Sequence, residues 1–340
     1  MSQYSNNPLI SVVTPVYNGE KYLAQCIESV IAQSCRNWEY IIVNNCSTDG
    51  TSQLLDRYAK SDARIRIFNN ETFVDAIDNH NIALRYISPD SVYCKILQAD
   101  DWLYPQCLEM MVMQAQQNPS SGIIGSYVLW DKQVGCDGLP PSTQFLSGRE
   151  ICRLTLLKKI YPFVNLSGLM LRSDLVRARD PFLREKSLHT DVETYYELLQ
   201  NCDFSFVHQV LSFVRKHEDS RSSALAESLV TYRYASLYML VKFGPVYLSE
   251  KEFNNQLQLA IKGYYQFLVS AIWQKRSSEF WEFHKNGLKS IGYPINKTKL
   301  WSFWGISICE RILKKVENLI GFSDSLIIFF RNRRYGREDP

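Results

Sequence analysis

Two adjacent carboxylates, Asp100 and Asp101, close the strand-forming run Val92-Tyr93-Cys94-Lys95-Ile96-Leu97-Gln98-Ala99, and a proline follows at position 105. Neighbouring acids at the end of a buried strand repel one another and are costly to desolvate unless a cation lies beside them. Their oxygens suit hard divalent ions such as Mn²⁺ or Mg²⁺, which in turn hold phosphate. Pro105 suits the first turn of the helix that Leu108, Met111 and Val112 continue, and the competing reading is a surface turn in which Asp100 caps that helix. Two more strand-like runs, 9–15 and 38–43, also end in polar residues, at 14–18 and 44–49.

The elements that must position these groups alternate in kind. Helical periodicity over 20–34 places Leu23, Ile27, Val30 and Ile31 on one face. A helix is expected to begin near Thr51, capped by Ser47, Thr48 or Asp49. A strand at 63–68, a helix at 75–87 and a strand at 122–129 continue the alternation. Such an order predicts an α/β fold with a mostly parallel sheet flanked by helices, and ligands at the carboxyl ends of its strands. The three polar strand ends then converge on one edge, which favours the metal reading. Farther on, helices at 149–158 and 191–200 and a strand at 204–210 are expected, and after Ser222 the pattern is helical only.

Composition narrows the class. The 340 residues are 46% hydrophobic and 21% charged, as in ordinary globular proteins. A net charge of +3 is too weak to argue for a nucleic-acid partner. Nine cysteines without a C-x-x-C pair read as reduced thiols of a cytoplasmic protein. The first eight residues lack the layout of a signal peptide, and no apolar window reaches the ~18 residues of a membrane span.

Taken together, five segments resemble the inverting, sugar-nucleotide-dependent glycosyltransferases of family 2, which have the GT-A (Rossmann-like) fold. They are Ser11-Val12-Val13-Thr14-Pro15-Val16-Tyr17-Asn18-Gly19-Glu20, Asn44-Asn45-Cys46-Ser47-Thr48-Asp49-Gly50-Thr51, Gln98-Ala99-Asp100-Asp101, Thr190-Asp191, and Arg215-Lys216-His217 with Ser220 and Ser222. The resemblance spans roughly residues 9–222 and implies a role for each match. Pro15, Val16 and Tyr17 would wall the base, at a strand end that includes Thr14, with Asn18 and Glu20 near the nucleoside. Asn44 and Asn45 would contact base or ribose, and Asn79, Gln98 and Ala99 would belong to the same nucleotide-sugar site. Asp100 would hold Mn²⁺ or Mg²⁺ on the diphosphate, with Asp101 assisting through water and His217 reaching over from a lid. Asp191 would be the general base; its competing reading is a helix-start carboxylate, whose pKa the helix dipole would lower.

Three departures stand out. Asn44 replaces a usual acid, Gln98 replaces the first acid of Asp-x-Asp, and Asp78-Asn79-His80-Asn81 replaces Arg-Asn-x-Gly and so removes a positive charge near the diphosphate.

The expected organisation is a catalytic domain at 1–222 and a helical region at 223–340 for acceptor, homo-oligomer or membrane-surface contacts. Trp301, Phe303 and Trp304, and a 319–330 stretch followed by Arg331, Arg333, Arg334 and Arg337, fit an anionic bilayer. A helical subdomain or dimer surface fits them as well. The implied activity moves a sugar from a nucleotide donor, a UDP-sugar foremost, to a hydroxyl of a glycan or lipid-linked saccharide, in bacterial surface polysaccharide synthesis. A nucleotidyltransferase would want a Gly-rich, basic phosphate loop, which 14–20 lacks. A non-catalytic nucleotide- or glycan-binding module rests on the three departures alone.

Overall fold

In the computed structural model, which describes residues 7–163, 165–184, 189–215 and 221–320, ten strands join in one sheet. The first half alternates β1 (Ile10–Val16), α1 (Leu23–Ile31), β2 (Trp38–Asn44), α2 (Thr51–Ser61), β3 (Ile65–Asn69), α3 (Ala76–Arg85) and β4 (Tyr93–Ile96). Every residue of β1, β2 and β4 is buried, as befits strands covered on both faces, which read as unbroken apolar runs. These strands are parallel, in the order β3-β2-β1-β4. The chain therefore moves outward from β1 to β3 and returns to its other side at β4. That reversal creates a crevice at the carboxyl ends of β1 and β4, where open α/β sheets bind ligands. Pairing of Val16 with Asn44 and of Val13 with Ile96 brings the three polar ends to one edge, as expected.

The sheet continues through β5 (Trp102–Leu103), α4 (Cys107–Gln117), β6 (Ser121–Trp130), β7 (Gln133–Gly135), β8 (Phe145–Leu146), α5 (Gly148–Leu156), β9 (Leu169–Arg172), α6 (Ser173–Arg177), α7 (Thr190–Leu198) and β10 (Asp203–Val214). Beyond β4 the order is β9-β6-β10-β5, and β9 runs antiparallel between β4 and β6. Strands β5 and β9 are short and carry no legible sequence period. The strand expected at 204–210 runs on to Val214, with register shifts against β6 between Val207 and Ser212. Helix α4 begins only at Cys107, after Gln106. Pro105 therefore precedes the helix rather than sitting in its first turn, and Asp100 is too far upstream to be its cap.

The chain turns wholly helical where expected, with α8 (Arg221–Leu229), α9 (Thr231–Tyr247), α10 (Glu250–Trp273), α11 (Ser278–Ser290) and α12 (Lys297–Ile320). Its compact units, however, are Met1–Gln256 and Leu257–Pro340, so the division expected near residue 222 is displaced. The reason is the packing of α9 on α7. Tyr196 and Phe243 stack at 5.0 Å, the Tyr247 hydroxyl donates to the Tyr196 carbonyl, and Lys242 pairs with buried Glu193. The second unit has its own aromatic core, in which the Tyr264 hydroxyl meets Nδ1 of fully buried His284 at 2.5 Å and Phe280 packs beside them. No described helix is long and apolar enough to cross a membrane. The basic stretch from 321 onward, which carries most of the membrane-surface expectation, lies outside the described residues.

Candidate active site

A cavity of about 380 Å³ opens at the crevice beside β1. Pro15, Val16, Tyr17 and Asn18 line it from the end of β1, Asn45 from the end of β2, and Asn79 from α3. Gln98, Ala99 and Asp100 complete it beyond β4. Asn18 makes the turn possible by adopting a left-handed conformation, φ 51°, which asparagine tolerates better than most residues. The β1 and β2 loops are then laced together. The Asn18 N–H donates to Ser47 Oγ at 2.9 Å, and the Thr48 N–H donates to Asn18 Oδ1 at 2.8 Å. The Glu20 N–H donates to Asp49 Oδ2 at 3.1 Å, and Glu20 Oε2 accepts from the Gly50 N–H at 2.9 Å. Asp49 Oδ1 also accepts from the Thr51 N–H at 3.1 Å, so Asp49 is the acid that holds the start of α2.

Three residues assigned to the nucleotide site on sequence do other work. Thr14 is fully buried and donates to the Leu97 carbonyl at 2.7 Å, tying β1 to the end of β4. Glu20 is spent on the lacing and does not line the cavity. Asn44 is buried, donating to Ser52 Oγ at 3.1 Å and Asn69 Oδ1 at 3.0 Å while its Oδ1 accepts from the Ser47 N–H at 3.2 Å. The acid-to-amide departure at 44 therefore sits inside the loop scaffold. Tyr22, Phe73 and Val74 also line the cavity, and no motif in the sequence marks them.

The two adjacent acids beyond β4 part company. Asp100 lines the cavity. Asp101 is 2% exposed and turned into the protein, where its Oδ2 accepts from Ser167 Oγ at 2.5 Å and its Oδ1 from the Arg215 N–H at 2.9 Å. Burial first, and then the charge of Asp100, push the Asp101 carboxyl up to about 7. Ser167 is the hub beneath the motif: its Oγ accepts from the Gln98 N–H at 3.1 Å, and its carbonyl accepts from Lys95 Nζ and Ser212 Oγ, each at 2.7 Å. Arg215 reaches over the same turn, donating from Nε to the Asp100 carbonyl at 3.1 Å and lying 4.3 Å from the Tyr22 ring centre. Gln98 donates through Nε2 to His80 Nε2 at 3.1 Å, while His80 Nδ1 donates to the Ala76 carbonyl at 2.6 Å. Burial holds His80 below its usual pKa, which fits this neutral tautomer.

Among the described residues, no three His, Cys, Asp or Glu side chains gather as a metal cage. A hard divalent ion bound mainly through substrate phosphates needs only one or two carboxylates, and Asp100 at the cavity wall fits that requirement. His217 lies outside the described residues.

Asp191 lies in a second cavity, of about 640 Å³, with Trp130, Asp137, Tyr161, Phe163 and His189 among its lining. It stands in the first turn of α7, whose free N–H groups favour the carboxylate. Burial outweighs them and raises the Asp191 carboxyl to about 6. The expected lowering by the helix dipole is thus overruled by desolvation. His189 Nε2 contacts Thr231 Oγ1 at 3.1 Å, and burial lowers its pKa. The segment leading from Tyr161 and Phe163 in this cavity reaches Ser167 beneath the acidic motif, so one short stretch of chain serves both places.

Comparison with known proteins bears directly on this arrangement. Residues 11–175 match the family model described as glycosyl transferase family 2. An uncharacterized glycosyltransferase of Haemophilus influenzae is 30% identical over 233 residues, which cover 66% of this chain and 86% of that protein. The chain belongs to glycosyltransferase family 2. A putative teichuronic acid biosynthesis glycosyltransferase, TuaG of Bacillus subtilis, is 42% identical over 94 residues, 28% of this chain and 36% of TuaG. The matched region covers only 42% and 41% of the length of the first two curated relatives. In fold, this family 2 glycosyltransferase is similar to residues 1–349 of Staphylococcus aureus TarS in complex with UDP-GlcNAc. The TM-score is 0.63 at 18% identity, covering 83% of this chain and 80% of that one.

Proposed function

We propose that this glycosyltransferase is an inverting, metal-dependent enzyme that moves a sugar from a nucleotide donor, a UDP-sugar foremost, to a hydroxyl of a glycan or lipid-linked saccharide. The observation that carries the reading is the pairing of sites. A crevice at the β1/β4 switch ends in a cavity-facing Asp100, and a separate cavity holds a carboxyl of raised pKa, Asp191. The UDP-GlcNAc bound by TarS and the biosynthetic role in TuaG's name support the donor class and a place in surface polysaccharide synthesis.

In this reading the donor's nucleotide lies along Pro15 to Asn18 and Asn45, with its diphosphate toward Asp100. A divalent ion shared by Asp100 and the phosphates would offset the charge building on the departing nucleotide. The acceptor oxygen attacks the anomeric carbon from the face opposite the leaving group. A new carbon–oxygen bond forms as the bond to phosphate breaks, and Asp191 takes the acceptor's proton. A carboxyl titrating near 6 is a stronger base than an ordinary aspartate yet remains ionised at neutral pH. Asp101, Ser167 and Arg215 hold the turn beside Asp100 in shape, the Asp101 carboxylate accepting from the other two.

The test is a panel of nucleotide sugars, each with Mn²⁺, scored by thermal stabilisation and then by transfer. Stabilisation by one nucleotide class and a product of inverted anomeric configuration are expected. A retained configuration, or undiminished transfer in excess chelator, would overturn the corresponding part of the reading.

A further inference from the structure

Phe73 is 61% exposed although it sits against Tyr17, itself 46% exposed. The ring centres are 4.9 Å apart with the planes at 65°, and both rings line the nucleotide cavity. The loop that presents Phe73 is stitched at both ends. At its start, the Asn70 N–H donates to the Asn44 carbonyl at 2.9 Å, and Asn70 Nδ2 donates to Asn45 Oδ1 and to Asn79 Oδ1, each at 2.9 Å. At its end, Asn45 forms a two-point bond with the peptide groups of Val74. The Val74 N–H donates to Asn45 Oδ1 at 3.0 Å, and Asn45 Nδ2 donates to the Val74 carbonyl at 2.8 Å.

That two-point bond fixes which end of the Asn45 amide is which. It also requires an amide, because a carboxylate would set a second acceptor against the Val74 carbonyl. Asn45 Oδ1 already receives two N–H groups, so its acceptor capacity is taken up by the loop. Its place in the cavity wall is therefore that of a brace, and the group it braces is Phe73.

We infer that residues 70–74 form the outer wall of the nucleobase subsite, with Phe73 as the residue on which the base stacks and Asn45 as the positioning residue that holds it. This deepens the donor reading above and rests on it. A planar base covering Phe73 and Tyr17 removes apolar ring surface from water, and base–aromatic stacking tolerates any base because each has a π face. The wall thus supplies affinity for a nucleoside and little choice between bases.

The experiment is calorimetric titration of the full chain with Mn²⁺ and the tighter-binding of UDP and GDP, with inorganic pyrophosphate as the base-free control. Phe73 is at the surface, so Phe73→Ala should fold normally. It should weaken the nucleoside diphosphate about 5- to 100-fold and leave pyrophosphate unchanged, while Phe73→Tyr stays within about twofold of wild type. Asn45→Asp, assayed below its own melting temperature, should likewise lose nucleotide affinity and keep pyrophosphate affinity. Nucleotide binding by Phe73→Ala within twofold of wild type would overturn the inference and leave the donor site standing. A wild-type protein that binds neither nucleotide would overturn the donor site as well.

Discussion

Replacing Asp101 separates a brace from a metal ligand, because the structure gives its carboxylate two hydrogen bonds and almost no exposure. Asp101→Ala would strip the acceptors from the Arg215 N–H and from Ser167 Oγ in a closed interior. A buried donor left unsatisfied costs roughly 1–3 kcal/mol. Relief from burying a carboxyl already pushed up to about 7 offsets part of that. A net loss of about 2–4 kcal/mol remains; at roughly 2–4 °C per kcal/mol for a unit of this size, melting should fall by about 5–15 °C. Asp101→Asn keeps the shape and an oxygen for the Arg215 N–H, so its melting temperature should stay within about 3 °C of wild type. Thermal unfolding followed by circular dichroism, with calorimetric titration of UDP and Mn²⁺ on the same samples, provides both readouts. Asp101→Asn should bind UDP·Mn²⁺ within about threefold of wild type. An Asp101→Ala that melts like wild type, alongside an Asp101→Asn that loses Mn²⁺-dependent binding, would refute the reasoning and place the carboxylate on the metal.

Other expectations follow from the same geometry. Asp100→Ala should lose the Mn²⁺-dependent part of nucleotide binding, at least ~10-fold, with the fold intact by circular dichroism; unchanged binding would remove Asp100 from the donor site. Asp191 is protonated, and so useless as a base, below the value of about 6 to which burial raises it. Activity should therefore fall about tenfold per pH unit below that point and level off above it, and a profile flat down to pH 4.5 would exclude Asp191 as the titrating base. Lys95 is fully buried, bonded to the Ser167 carbonyl, and held below its usual pKa by desolvation. Its folded form binds a proton less readily than its unfolded form, so wild-type stability recovers as pH rises toward the usual lysine range. Lys95→Met should accordingly raise the melting temperature more at pH 7 than at pH 10, because Ser212 still serves that carbonyl; an equal shift at both pH values would contradict the assignment.

Much of the catalytic fold was legible because buried parallel strands write themselves as apolar runs that stop abruptly. Residues 9–15 and 38–43 could be read that way, and so could the convergence of their ends with Asp100. The parity of a strand end was not legible. Neighbouring side chains leave a strand on opposite faces, so Asn44 packs inward while Asn45 lines the cavity; at the neighbouring turn, too, Asp101 packs inward while Asp100 lines it. Only the pairing of Val16 with Asn44 and the Ser167 hub decide such a choice, and both involve residues far apart in sequence. Strand β9, four residues long, exists through its neighbours β4 and β6 rather than through any period of its own. The unit boundary moved from 222 to 256 because the aromatic face of α9 pairs with Tyr196, a partner that helical periodicity alone does not name. Phe73 escaped notice because an exposed aromatic outside any motif gives no sign of what it covers.

The central claim, base-assisted displacement at a nucleotide-sugar site, is tested most directly by single-turnover transfer with wild type and Asp191→Asn, using the donor that stabilises the protein. The account predicts donor affinity within about threefold of wild type and transfer at least ~10²-fold slower in Asp191→Asn. Transfer by Asp191→Asn within a few-fold of wild type would contradict it.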